Sequence, residues 1–221
     1  MKQEPFDAQP LFPAFATRWL RWGLVGVLLL AVGAPLALMG WVRTPIARGQ
    51  YTAPPQPIQF DHRHHVRDVG IGCRYCHADA WRTASAGLPA LSVCMGCHVQ
   101  VYPDAPLLKP LRDAYFGGSP LVWQRVTWLP DFVFFDHSAH VTRGVACVSC
   151  HGRVDLMPQV YAVATMTMGF CLDCHRQPGP SLRPVERVGD MEWTHKAERE
   201  SAGAQVASAA RPGTDCSTCH R

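Results

Sequence analysis

This 221-residue sequence holds no glycine-rich phosphate loop and no nucleophile motif, so nothing in it announces bond-making chemistry on a substrate. It also has no cysteine to spare. The ten Cys fall without remainder into five Cys-x-x-Cys pairs, which excludes a lone catalytic or intermolecular thiol. Charged side chains make up 17% of the chain, and between Trp22 and Val42 there are none.

Every Cys-x-x-Cys pair is followed at once by His. The five are Cys73-Arg74-Tyr75-Cys76-His77, Cys94-Met95-Gly96-Cys97-His98, Cys147-Val148-Ser149-Cys150-His151, Cys171-Leu172-Asp173-Cys174-His175 and Cys216-Ser217-Thr218-Cys219-His220. Disulfide frameworks and zinc ribbons use Cys-x-x-Cys too, but neither needs His at the next position. With 11 His in the chain, chance would place one after all five pairs roughly once in several million. Cys-x-x-Cys-His reads as a c-type haem attachment site, the two thiols adding to the porphyrin vinyl groups and His reaching the iron. The cofactor expectation is five haem c.

Five sites share about 160 residues, too few for a conventional aliphatic core around each. The macrocycles must supply much of the buried apolar area. The expected fold is mainly α with much irregular structure: a multihaem cytochrome c domain of class III/c7-like repeats on one N-terminal transmembrane helix. The 19 Pro and 18 Gly agree with short helices and long loops. The formal +4 charge gives no nucleic-acid signal, because five haems would bring ten propionates.

Trp22–Val42 is 21 residues long, enough to span a hydrocarbon layer as a helix, with Trp19, Trp22 and Trp41 at its two ends. A cleaved signal peptide would have a shorter apolar region and a small-x-small cleavage site. The sequence therefore divides into a cytoplasmic N-terminal segment (1–18), a transmembrane anchor (19–42), a tether (43–59) with Pro45, Pro54, Pro55 and Pro57, and a pentahaem domain (60–221). Since c-type haems are attached on the side opposite the cytoplasm, the N-terminus is expected inside and the haem domain on the periplasmic side.

Six His lie outside the attachment motifs, and four of them recur in register. Phe60-Asp61-His62-Arg63-His64-His65-Val66 is matched by Phe135-Asp136-His137-Ser138-Ala139-His140-Val141, giving repeats over 60–98 and 135–175 and a partial third unit over 193–220 that begins near His195. Two imidazoles at i and i+3 share one side of a helical turn and diverge enough to serve two haems. The distal-ligand candidates are thus His62, His65, His137, His140 and His195, against proximal His77, His98, His151, His175 and His220. His64 does not recur and is expected to face solvent. Met166 and Met168, upstream of Cys171, are the alternative ligands, and His/Met ligation would raise that haem's potential.

The two paired-His segments, Leu129-Pro130-Asp131-Phe132-Val133-Phe134 ahead of the second, Cys147-x-x-Cys150-His151-Gly152 and Met168-Gly169-Phe170-Cys171-x-x-Cys174-His175-Arg176 resemble the pentahaem cytochrome subunit of alternative complex III, a bacterial quinol:electron-acceptor oxidoreductase. The resemblance covers about residues 56–220 and extends to the single anchor. It implies a single-pass protein of the bacterial cytoplasmic membrane, partnered by an iron–sulfur subunit, polytopic membrane subunits and a monohaem cytochrome. It also implies electrons passed from quinol to a soluble acceptor. One departure stands at Thr127-Trp128, where family members often carry a His before Leu-Pro-Asp.

Two rival functions remain. A self-sufficient single-anchor quinol dehydrogenase would set its first haem at the membrane, whereas thirty residues separate Val42 from Cys73. A catalytic multihaem reductase needs a vacant distal position, and five spare His for five haems argue against one. The chain is expected to conduct rather than to catalyse alone.

Overall fold

The computed structural model describes residues 13–194, 196 and 212–220. The chain divides into two compact units, one ending at Arg48 and the other beginning at Gly49.

The first unit is built on helix α1, Ala14–Trp41. Its Leu-, Val- and Ala-rich stretch lacks any charge that would have to leave a lipid phase. Within Phe15–Trp41 an 18-residue window reaches a mean hydropathy of 2.2, and none of that window is buried by the protein. Leu24, Leu28 and Leu30 stay more than 60% exposed, which water would penalise and hydrocarbon would not. Pro35 sits within the helix without ending it. By length and composition α1 can cross a membrane.

The second unit is mainly α, with short helices separated by irregular backbone. These are α2 (Cys73–Cys76), α3 (Leu91–His98), α4 (Lys109–Gly117), α5 (His137–Val141), α6 (Cys147–His151), α7 (Met168–Arg176) and α8 (Cys216–Cys219). Two isolated bridges, Gln50 with Ala162 and Val145 with Leu182, are the β pairing among the described residues. Arg63–Asp68 forms a π turn where the second copy of the repeat has the α-helical α5.

Core packing is thin. Ile58, Met95 and Leu111 make its main cluster, with α3 laid on α4 and Leu91, Leu108, Leu121 and Trp123 around them. Among the described residues Val188 is the largest side chain to be fully buried.

Ile58 lies in the segment 43–59 expected as a tether. From Gln50 onward this segment is extended but not free. Gln50 Nε2 donates to the Val163 carbonyl (2.6 Å), Tyr51 N to that of Ala162 (2.9 Å), and the Gln56 amide both donates to and accepts from the Gln124 backbone (3.0 and 2.9 Å). The prolines forbid helix, but the glutamine amides and Ile58 dock the strand-like chain onto the second unit.

Candidate functional site: cysteine turns and paired imidazoles

Each Cys-x-x-Cys lies on one helical turn, α2, α3, α6, α7 or α8, so its two thiols share a face and the following His closes the turn. None of the ten thiols is in a disulfide. Among the described residues no three His, Cys, Asp or Glu gather into a cage for a bare metal ion.

The imidazoles are held in one consistent way. Nδ1 of His77, His98, His175 and His220 lies 3.1, 3.0, 2.7 and 3.1 Å from the carbonyl oxygens of Gly87, Val101, Gly213 and Phe132. Nδ1 of His65, His137 and His140 does the same toward Asp61, Ala84 and Asp136, at 2.8, 2.9 and 2.7 Å. A carbonyl can only accept, so in all seven rings Nδ1 carries the proton and Nε2 keeps its lone pair for a metal.

The same rings come in pairs. The centroids of His65 and His98 are 6.1 Å apart, those of His137 and His151 6.3 Å, and those of His140 and His175 6.1 Å. An imidazole nitrogen sits about 2 Å from a first-row metal and a little over 1 Å from its own ring centre. Two rings trans across one ion therefore have centroids about 6 Å apart. The spacing and the free Nε2 atoms fit an iron between each pair. His62 lies within electrostatic reach of His77 and His65. Burial, with a contribution from neighbouring imidazoles, pushes His62 and His151 down to about 4, so both stay in the neutral form that can ligate. Nδ1 of His62 is buried without a hydrogen-bond partner.

The Phe-Asp-His-x-x-His segment explains itself in both copies. The Asp side chain caps the turn, Asp61 Oδ1 accepting from His64 N and Asp136 Oδ1 from Ala139 N, both at 3.2 Å. The carbonyl of the same Asp orients the second His. The Phe ring stacks on that second His (Phe60–His65 4.2 Å, Phe135–His140 4.5 Å) and meets the first His edge-on at 4.7 Å in each copy. One aromatic ring thus fixes two imidazoles at different tilts.

The fifth turn is cradled by Leu129–Phe134. Phe134 N donates to the Cys219 carbonyl (2.8 Å), and the Phe132 ring stacks on His220 at 5.8 Å. His195, the distal candidate for that turn, lies outside the described residues. His64 is exposed, its Nδ1 3.4 Å from Asp68 Oδ2. Met168 is 68% exposed, and His140 lies opposite His175. The carbonyls of Ala84, Gly87, Val101, Phe132 and Gly213 are functional groups that the sequence does not signal, because every residue carries one.

Neighbouring turns also sense one another through their thiols. The neighbouring Cys147 thiol draws Cys73 down to about 7, and Cys73 with burial draws Cys147 up. Burial raises Cys76, Cys150 and Cys171. Cys94 adds to the first, Cys174 and Cys171 to the second, and Cys219 to the third.

No family model matches the chain. It is 36% identical over 122 residues to the menaquinone reductase, multiheme cytochrome c subunit, of Nitratidesulfovibrio vulgaris (strain Hildenborough), the match covering 54% of this chain and 56% of that protein. The chain thus spans a little over half the length of this curated relative.

Proposed function

We propose that this chain is a membrane-anchored pentahaem cytochrome c that relays electrons within a quinone-linked membrane complex, between the quinone pool and an extracytoplasmic redox partner. The observation that carries the reading is the set of imidazole pairs 6.1–6.3 Å apart whose Nδ1 atoms donate to backbone carbonyls wherever a hydrogen bond holds them. Likeness to a multihaem cytochrome subunit of a menaquinone reductase supports both the cofactor class and the link to quinone.

Bound haem supplies one-electron redox chemistry; the rest is the work of this chain. Cys73, Cys76, Cys94, Cys97, Cys147, Cys150, Cys171, Cys174, Cys216 and Cys219 anchor the macrocycles. The irons would be held by His62 with His77, His65 with His98, His137 with His151, His140 with His175, and His195 with His220. Two imidazoles on each iron would leave no open position for substrate, which would separate a conductor from a multihaem reductase. The Nδ1–H···O=C bonds fix ring orientation and raise the donor strength of Nε2. Haem attachment on the side opposite the cytoplasm would set the domain at the extracytoplasmic face, where partner subunits with iron–sulfur and polytopic membrane parts would exchange electrons with it.

Direction follows from the partners rather than from the wire. The resemblance to alternative complex III gives quinol oxidation toward a soluble acceptor, while the relative is named as part of a menaquinone reductase. The test uses membranes containing the holoprotein with its native partners. Five haems by intact mass, low-spin spectra throughout, no carbon monoxide binding and quinol-dependent haem reduction are expected. A high-spin haem that binds carbon monoxide would sink the relay in favour of catalysis. Oxidation of the reduced haems by menaquinone, without reduction by quinol, would reverse its direction.

A further inference from the structure

The attachment sites need not follow one another in space as they do along the chain, and the contacts fix a different sequence. His62 and His65 stand on one turn against the same Phe60 ring, the second facing His98 and the first within electrostatic reach of His77, so the first and second sites are neighbours. His137 and His140 repeat this for His151 and His175, making the third and fourth sites neighbours. The two copies meet through their first sites. The loop after α2 offers the Gly87 carbonyl to His77 and the Ala84 carbonyl to His137, and Ala84 also accepts from the His137 backbone N (3.1 Å). Adjacent residues hold the same two turns from the other side: Cys147 N donates to the Val188 carbonyl (3.0 Å) and Cys73 Sγ to that of Gly189 (3.7 Å). The fourth site reaches the fifth through His175 and the Gly213 carbonyl, three residues before Cys216.

Resting on the haem-relay reading, we propose that the five sites are strung in space as second, first, third, fourth, fifth, so that the ends of the array are the Cys94–His98 and Cys216–His220 turns. Exposure supports these ends independently. Of the ten thiols, only Cys97 and Cys216 are exposed, one in each end turn, while the other eight are partly buried. Partners that exchange electrons with this domain meet it at those two turns. The first motif of the chain lies inside the array, at the seam between repeats.

The order is tested on the holoprotein by electron paramagnetic resonance of two variants, His65→Met and His62→Met. A methionine ligand raises the potential of the haem it serves, so the sample can be poised with that haem alone reduced and diamagnetic. Magnetic coupling then disappears only from its direct neighbours. In the proposed order the second site is an end, and His65→Met alters one other haem signal. The first site is interior, and His62→Met alters two. In chain order the counts reverse, and that reversal would overturn the proposal. If neither substitution changes any low-spin signal, the ligand reading fails and takes the order with it. Should a variant fail to mature, a density map of the holoprotein in its complex reads the order of the irons directly, and any array not ending at Cys94–His98 overturns it. Neither readout depends on the identity of the redox partners, so failure of the relay reading remains distinguishable.

Discussion

Asp155 offers the sharpest test of how the modules are held in this arrangement. It sits just after α6, 5% exposed, and accepts two hydrogen bonds from Arg153, at 2.7 Å from Nε and 2.6 Å from Nη2. Arg67 of the first repeat approaches the same carboxylate at 3.6 Å, and Glu192 binds both Arg67 (3.1 Å) and Arg153 (3.4 Å). Four charges thus join both repeats to the segment leading into the third unit. Asp155→Asn removes the charge and leaves one acceptor, so about one charge-assisted hydrogen bond of 1.5–3 kcal/mol is lost, together with the Arg67 attraction. Arg153 and Arg67 are 37% and 48% exposed, and Glu192 still engages both, so solvent and rearrangement keep the net loss near 2 kcal/mol. For a unit of this size that lowers Tm by about 4–8 °C. Arg153 holds the Asp155 carboxyl below its ordinary 3.8, against the opposing effect of burial. A depressed folded-state value means the stabilisation is complete above the unfolded value and fades as pH falls through the folded one. The parent therefore loses this contribution below about pH 4 and the variant has none to lose. Circular dichroism melts of both holoproteins at neutral pH and through the acid range measure the effect. A variant within 2 °C of the parent at neutral pH, or acid limbs that run parallel, would refute the reasoning.

His140→Ala and His137→Ala should each convert one haem from low to high spin and open it to carbon monoxide, and the double variant should convert two. A double variant that equals either single one would mean that both imidazoles serve the same iron. Gly144→Ala should be costly, because Gly144 has φ +82° and a Cβ there would collide with the Arg183 carbonyl beside the Val145–Leu182 bridge. Gly70→Ala, at φ +80° with open space around it, should show only the backbone penalty of about 1 kcal/mol; equal denaturation midpoints for the two would dismiss the collision. Leu29→Arg, near the middle of α1, should cost about 2.5–3.5 kcal/mol of membrane insertion and shift protein from the membrane to the soluble fraction. Unchanged partitioning would argue that α1 does not span the bilayer.

What could be read in the sequence was what depends on side-chain identity. Cys-x-x-Cys-His is legible because covalent attachment and ligation need those atoms at that spacing, and the helical turns of α2, α3, α6, α7 and α8 supply it. The Phe-Asp-His-x-x-His repeat was legible as a pair of ligand candidates. The purpose of its Phe and Asp was not, since capping and ring stacking appear only once the turn is formed. The contacts of residues 50–58 were not legible beside four prolines in 43–59, because two glutamine amides and a single isoleucine find partners far away in sequence. The carbonyls that orient His77, His98, His137, His175 and His220 were beyond reach for a deeper reason. They belong to Gly87, Val101, Ala84, Gly213 and Phe132, and their side chains have no part in the bond.

The same distinction explains why the spatial order of the sites escaped the motif spacing. A duplicated unit carrying two ligands on one turn binds two sites side by side, but it leaves open which of them meets the other copy. That choice falls to the stretch Ala78–Gly87, four of whose residues form a 3-10 turn, Ala78–Trp81, directly after α2. Because the first site is followed by this short loop, its carbonyls reach both His77 and the incoming His137, and the first sites of the two repeats are drawn together. The second site of the first repeat is followed instead by α4, which packs back on α3 around Met95 and Leu111. That packing covers one side of the turn with protein and leaves Cys97 exposed. An end of the array is thus made by an apolar helix contact and an interior site by a loop that presents carbonyls, a difference in folding rather than in motif.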